Sequence, residues 1–261
     1  ASLGINAQTV TTKSATAAAN YAISLPGGAD GNLSNVAIPA LNIAALPVTI
    51  EMWYKPDATQ NYYSTLWYNR GTSNNSGVQY DRWTDITKIK GVWNGGSGTG
   101  LATAKPVAGQ WNHVALVVTA TSKILYINGV PFEQAATSPA TPYTNYPFDG
   151  ITYLGWDKPN ETLKDRTLKG LVDEFRVWNT AQELENNKYN TLTGSEAGLI
   201  GYWNFDDQAT TATDLTTNGR HATISGGTYV ASTYAEPMAF ASASLSQQSY
   251  EIGAPANDVL V

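Results

Sequence analysis

The chain has 261 residues, a formal net charge of −6 and no cysteine. Disulfides, thiolate nucleophiles and cysteine-bound zinc are therefore excluded, and no run approaches the roughly 18 apolar residues of a membrane-spanning helix. No Lys/Arg cluster exists to displace phosphate counterions or meet an anionic bilayer, which sets aside nucleic-acid and membrane-surface partners.

Hydrophobic residues make up 42% of the chain, enough for a full core. Charged residues make up only 14%, against about 25% in an average soluble protein. With 23 Gly, 15 Tyr and 8 Trp, the composition is that of a turn-rich, aromatic-rich sheet protein.

In chain order, Ala1 to Gln8 reads as the end of an export signal, with a small residue at Ala7 before polar Gln8, or as a flexible arm. An exported chain without cysteine is commoner in bacteria than in animal matrices, so a secreted or cell-surface bacterial protein is expected. Residues 9–20 are small and polar, a lead-in strand or tether. Tyr21 to Leu25 alternates as a first core strand, and the Pro26 to Gly31 turn ends it.

Val48 to Tyr54 places Val48, Ile50, Met52 and Tyr54 on one face and Thr49, Glu51 and Trp53 on the other; Pro56 closes the strand. Residues 59–105 crowd Tyr62, Tyr63, Trp67, Tyr68, Tyr80, Trp83 and Trp93 among Asn, Ser and Gly, with hairpin breaks at Asn69-Arg70-Gly71 and Gly95-Gly96. Trp111 to Thr119 and Ile124 to Val130 follow, the second carrying the strong hairpin signal Asn128-Gly129. Residues 131–150 read as a loop. Ile151 to Trp156, Gly170 to Trp178 and Leu199 to Phe205 supply later strands.

Between them, Thr180 to Asn187 is the one helical pattern, with Thr180 as N-cap and Glu183 completing a capping box. The turn from Asn218 leads into a last strand ending at Ile224. The expected organisation is an N-terminal remnant or tether over 1–20, one β domain over 21–236, and a linker with the start of a following module over 237–261.

Six segments follow one another along the chain: Glu51-Met52-Trp53-Tyr54-Lys55-Pro56, Trp111-Asn112-His113, Leu125-Tyr126-Ile127-Asn128-Gly129, Tyr153-Leu154-Gly155, Gly170 to Asn179, and Gly201 to Asp206. This series resembles the laminin-G-like and pentraxin-like branch of the concanavalin A-like lectin/glucanase superfamily. The resemblance covers residues 21–230 and implies an all-β, two-sheet antiparallel jelly-roll sandwich with one short helix. It does not settle function, because the family holds glycan-binding modules, adhesion domains and accessory domains of carbohydrate-active enzymes.

Three sets of residues are candidate sites. Alternation puts Asp173 on the face of Leu171, Phe175 and Val177, where an unpaired carboxylate costs several kcal/mol. The resemblance implies a structural Ca²⁺ there, held by Asp173 and Asp30; the alternative is a hydrogen-bonded aspartate. Glu51, Trp53, His113, Glu174 and Arg176 share a polar register. They are either an acid/base pair for glycoside hydrolysis or lyase chemistry, or a cross-strand ion-pair ladder that shapes the fold.

The third set is aromatic. Sugar rings stack on Trp and Tyr while Asn, Asp and Arg take their hydroxyls, so Tyr62, Tyr63, Trp67, Tyr68, Arg70, Trp83, Trp93 and Trp156 are the candidate ligand-binding residues, with Asp157 beside them; the alternative is core filling. Gly-x-Ser-x-Gly, His-Glu-x-x-His and phosphate-loop motifs are absent.

The expected function is non-catalytic extracellular recognition within a longer polypeptide. Its ligand is a glycan or an extracellular protein, and its covalent partners are the neighbouring domains. A structural or adhesion spacer and a glycoside hydrolase or lyase stand as alternatives.

Overall fold

The structure is a computed structural model that describes residues 20–27, 33–71, 74–81, 88–95, 105–135, 142–157, 166–184 and 190–232. The expected tether before Asn20 and the module start at 237–261 lie outside these residues, as do Asp30 and Trp83.

Fifteen strands form two antiparallel sheets among the described residues. The first sheet runs β15 (Thr228–Ala231), β1 (Tyr21–Leu25), β11 (Gly170–Trp178), β3 (Val48–Pro56), β7 (Asn112–Val118), β8 (Ser122–Ile127) and β9 (Val130–Ala135). In it, β12 (Leu199–Trp203) also pairs with β11. The second sheet runs β13 (Thr211–Ala212), β14 (Ala222–Ser225), β2 (Asn35–Ile38), β10 (Thr152–Leu154), β4 (Thr65–Arg70), β5 (Asn75–Tyr80) and β6 (Ile89–Val92). Every pairing is antiparallel, as the jelly-roll expectation requires.

Period-two patterning explains the layers. Val48, Ile50, Met52 and Tyr54 of β3 and Val114, Leu116 and Val118 of β7 enter one apolar cluster, facing Trp67, Val78 and Leu154 of the second sheet. Trp67 meets Phe175 at 6.1 Å between ring centroids, and Phe175 meets Trp203 at 5.7 Å. These three rings link β4 in one sheet to β11 and β12 in the other. Asn128 (φ 53°) and Gly129 (φ 83°) are both left-handed, the backbone of a type I′ hairpin joining β8 to β9.

Some elements were not evident from periodicity. β2 and β13 are too short to show alternation, and β9 occupies residues read as the start of a loop. β15 becomes a strand because Tyr21–Ser24 offers an unpaired edge to it. Of the expected helix over 180–187, Leu184 is the one helical residue described; 185–189 lie outside.

The largest departure is in β11. The pairing with β3 shifts between Asp173 and Arg176, and Glu174 has a left-handed φ of 52°. This bulge adds one residue and reverses the alternation after it. Val172, Phe175 and Val177 face the core, while Asp173 pairs with Trp53 on the opposite side of the sheet. The expected placement of Asp173 with Phe175 and Val177 is thus corrected: a period-two count fails wherever one strand gains a residue over its partner.

Trp67→Ala is expected to lower unfolding free energy by about 3–5 kcal/mol, since it empties a fully buried site between the sheets. Urea denaturation checks this; a loss under about 1 kcal/mol would contradict the assigned core.

Candidate functional site

Two polar assemblies stand out, one behind each sheet. Behind the first sheet, β3 supplies Glu51, β7 supplies His113, and β11 supplies Glu174, Arg176 and Trp178. Glu51 Oε2 lies 2.8 Å from His113 Nε2, and Trp178 Nε1 donates to Glu51 Oε1 at 2.8 Å. Arg176 donates from Nη2 to Glu174 Oε2 at 2.5 Å and to the Asn190 carbonyl at 3.0 Å. The Tyr202 hydroxyl donates to the same Glu174 carboxylate at 2.9 Å.

Glu51, His113, Glu174 and Arg176 are each 5% exposed or less. The chain from Thr180 onward lies over them: Leu184 packs on Ala115 and Val117, and the Thr180 carbonyl accepts from Thr49. Of the expected ladder, Arg176 pairs with Glu174 and His113 with Glu51, while Arg176 and Glu51 are cross-strand neighbours. Glu51 and Glu174 do not line an open cleft, and each carboxylate is committed to protein donors.

Burial pushes the Glu51 carboxyl up, but hydrogen bonds from His113 and Trp178 and the charges of His113 and Arg176 outweigh it and hold it below the ordinary range. Burial opposes the charge on Arg176 as well, and Glu174 and Glu51 more than offset it, raising its pKa.

Asp173 sits at the same level. Its Oδ1 accepts the Glu174 N–H at 2.9 Å and its Oδ2 accepts the Ser232 hydroxyl at 3.0 Å. Calcium needs about six to eight oxygens. Asp173 is fully buried, both of its oxygens have protein donors, and no group of three or more His, Cys, Asp or Glu gathers around a point among the described residues. The described residues here do not fit a Ca²⁺ shell, and Asp30 lies outside them.

Behind the second sheet the arrangement is partly open: Tyr63, Tyr153 and Arg70 reach solvent, while Tyr68 and Trp156 are each 5% exposed. Tyr68 of β4 is paired with Tyr153 of β10 and with Gly77 of β5, so these three share the outer face. A Cβ on Gly77 would lie 2.2 Å from the Trp67 carbonyl oxygen and 2.6 Å from Tyr68 Cδ2; only glycine permits this approach. Two residues on, Arg70 stacks over the Tyr68 ring at 5.1 Å and grips Asp157 with both prongs, Nε–Oδ1 at 2.6 Å and Nη2–Oδ2 at 2.8 Å. Arg166 donates to Asp157 Oδ2 at 2.7 Å and lies 4.4 Å over the Tyr63 ring.

The Asp157 side chain is 1% exposed, whereas Arg70 and Arg166 remain 29% and 20% exposed. Trp156 packs edge-on against half-buried Tyr153 at 5.5 Å. Burial opposes the Arg70 charge, and the hydrogen bonds and charge of Asp157 override it, so its pKa is raised. The result is a shelf of aromatic rings around two arginines fixed by one buried carboxylate.

Of the aromatic candidates, Tyr63, Tyr68, Arg70 and Trp156 converge on this shelf. Tyr62 is 57% exposed on the adjoining loop. Trp67 and Trp93 do not join: both fill the core, with Trp93 Nε1 donating to the Thr144 carbonyl at 2.9 Å. The pleat of β4 turns Trp67 inward, and Trp93, just past the end of β6, packs on Tyr146 and Phe148, which corrects their assignment to a ligand surface. Trp83 lies outside the described residues. Arg166 and Tyr153 join the shelf without having been candidates; Arg166 arrives by a tertiary contact that has no local sequence signal.

A sequence profile described as the concanavalin A-like lectin/glucanases superfamily, of laminin-G type, matches residues 30–186. The chain belongs to this superfamily. Among solved structures it is similar to a Bacteroides ovatus protein provisionally designated carbohydrate binding. The TM-score is 0.60 at 18% identity, over 82% of this chain and 60% of that one. It is also similar to the heptameric SAP-like pentraxin of Limulus polyphemus, with a TM-score of 0.52 at 15% identity over 81% and 98%. Both likenesses establish the fold, and the chain spans about 60% of the Bacteroides structure. Among curated proteins there is no match. No helix of the described residues is long and apolar enough to cross a membrane.

Glu51→Gln is expected to cost about 3 kcal/mol at neutral pH by removing the charge that His113 and Arg176 face. A carboxyl held low in the folded state stabilises above its unfolded pKa of about 4.3 and loses that contribution as pH falls through the folded value. The gap between wild type and variant should therefore close in acid. Denaturation at several pH values checks this, and a gap that widens toward low pH would contradict it.

Proposed function

We propose that this chain is a non-catalytic recognition module of the extracellular type that binds carbohydrate on the outer face of its second sheet, as one part of a longer polypeptide. The observation that carries the reading is the shelf itself: Tyr68, Tyr153 and Trp156 beside Arg70 and Arg166, both fixed by Asp157. The half-buried Tyr153 ring, backed by the buried Tyr68 and Trp156 rings, supports a sugar ring, and pre-oriented guanidinium donors take its oxygens without losing side-chain freedom on binding. Superfamily membership, whose description includes lectins, supports the same reading.

The chemistry favours binding over turnover. Asp157 is the acid at the centre of the shelf, and its two oxygens are occupied by three guanidinium donors. Both oxygens are thus turned to the arginines and away from a reacting atom.

Tyr153→Ala and Arg70→Ala are each expected to weaken polysaccharide binding at least about tenfold in affinity electrophoresis across plant and host polysaccharides, with the fold retained by circular dichroism. Retention of wild-type binding by both folded variants would exclude this face. Absence of binding by the wild type to every polymer would leave a structural or adhesion spacer.

A further inference from the structure

Two arginines share one buried carboxylate on the outer face of the second sheet, and their donors are not exhausted. Arg70 uses Nε and Nη2 on Asp157, and Arg166 uses Nη1. Nη1 of Arg70 and Nε and Nη2 of Arg166 have no hydrogen-bond partner among the described residues, on side chains that are 29% and 20% exposed. Nearby, Lys90 pairs with Asp81 at 3.2 Å, so that pair is neutral. One unit of positive charge is left over between Arg70 and Arg166.

The whole chain, by contrast, carries −6. A local cationic excess on an anionic protein concentrates anions at that spot and turns them away elsewhere.

Geometry adds to charge. Each guanidinium is stacked on a tyrosine, Arg70 on Tyr68 and Arg166 on Tyr63, and each is tied at one edge to the same carboxylate. Both are therefore held before any ligand arrives, with their remaining edges available. Such a pair is a receptor for a planar or tetrahedral oxyanion, which takes two or more charge-assisted hydrogen bonds at once.

We propose that the carbohydrate bound on this face carries an anionic substituent, a carboxylate or a sulfate, seated on the free donors of Arg70 and Arg166. The inference rests on the glycan-binding reading and specifies its ligand class. Half-buried Tyr153 contacts the ring of an acidic sugar, with Trp156 packed behind it, and the two arginines select its charge. Arg166 is the specificity-determining residue, because Arg70 also serves to hold Asp157 and Tyr68.

The test uses matched polymers and the full chain. Polygalacturonate is compared with its carboxyl-reduced galactan, and dextran sulfate with dextran, by affinity electrophoresis and by calorimetry on the corresponding oligosaccharides. At least one anionic member should bind about tenfold or more tightly than its neutral partner. Its affinity should fall several-fold between about 50 and 300 mM salt. The carboxylate and sulfate arms distinguish the two anions.

Arg166→Gln should erase the preference for the anionic member while leaving the melting temperature close to wild type. Arg166→Lys should restore the salt dependence but only part of the affinity, since it keeps the charge and loses the fork. Lys55→Gln, on the opposite sheet, should change nothing; an equal loss there would show unspecific polyanion attraction and overturn the proposal. Equal binding of neutral and anionic partners would overturn it and leave the glycan-binding reading standing. Binding of no polymer would overturn both.

Discussion

One extra residue in β11 sets which side chains of the first sheet are buried and which are paired. With Glu174 in a left-handed conformation, Val172 and Phe175 both reach the core although they are three residues apart, an odd separation that regular alternation would place on opposite faces. The same shift brings Asp173, Glu174 and Arg176 together on the outer side, opposite Trp53 and Glu51 of β3. Without it, either Phe175 would leave its contacts with Trp67 and Trp203 or an ionised side chain would enter the apolar layer. Each alternative costs several kcal/mol, by cavity formation or by charge burial. The bulge lets one strand serve an aromatic core and an ion-pair ladder at once.

The two polar assemblies differ in what happens to their charges. Behind the first sheet, Glu51, His113, Glu174 and Arg176 use one another, Trp178, Tyr202 and the Asn190 carbonyl, and the chain after β11 covers them. A satisfied buried network confers rigidity and a unique register; it offers little to a ligand. Behind the second sheet, the carboxylate is buried but the cations around it are not. Asp157 acts there as a fixed anchor whose partners keep donors in reserve. That asymmetry, more than the presence of aromatic residues, distinguishes the two assemblies.

Aromatic count alone was a poor guide to which rings lie on the outer face. Trp67 and Tyr68 are adjacent in β4, yet the first lies in the core and the second on the outer shelf. Their opposite fates follow from the pleat, which sends neighbours to opposite faces, and from Gly77, which clears space for the Tyr68 ring. Trp93 turns inward to meet Tyr146 and Phe148.

The sequence by itself determined the architecture class and much of the strand inventory: the alternation of Val48 to Tyr54, the Asn128-Gly129 hairpin and the ordered Trp-bearing motifs are local signals, and local signals survive without coordinates. It also grouped Glu51, His113, Glu174 and Arg176 as a polar row, because their register can be counted along single strands. Only the tertiary structure decided that this row is closed, that Asp173 leaves the core side, and that Arg70, Asp157 and Arg166 meet. Those outcomes depend on a bulge and on contacts between residues 87 and 9 positions apart in the chain, and no period in the sequence encodes a partner reached across a sheet.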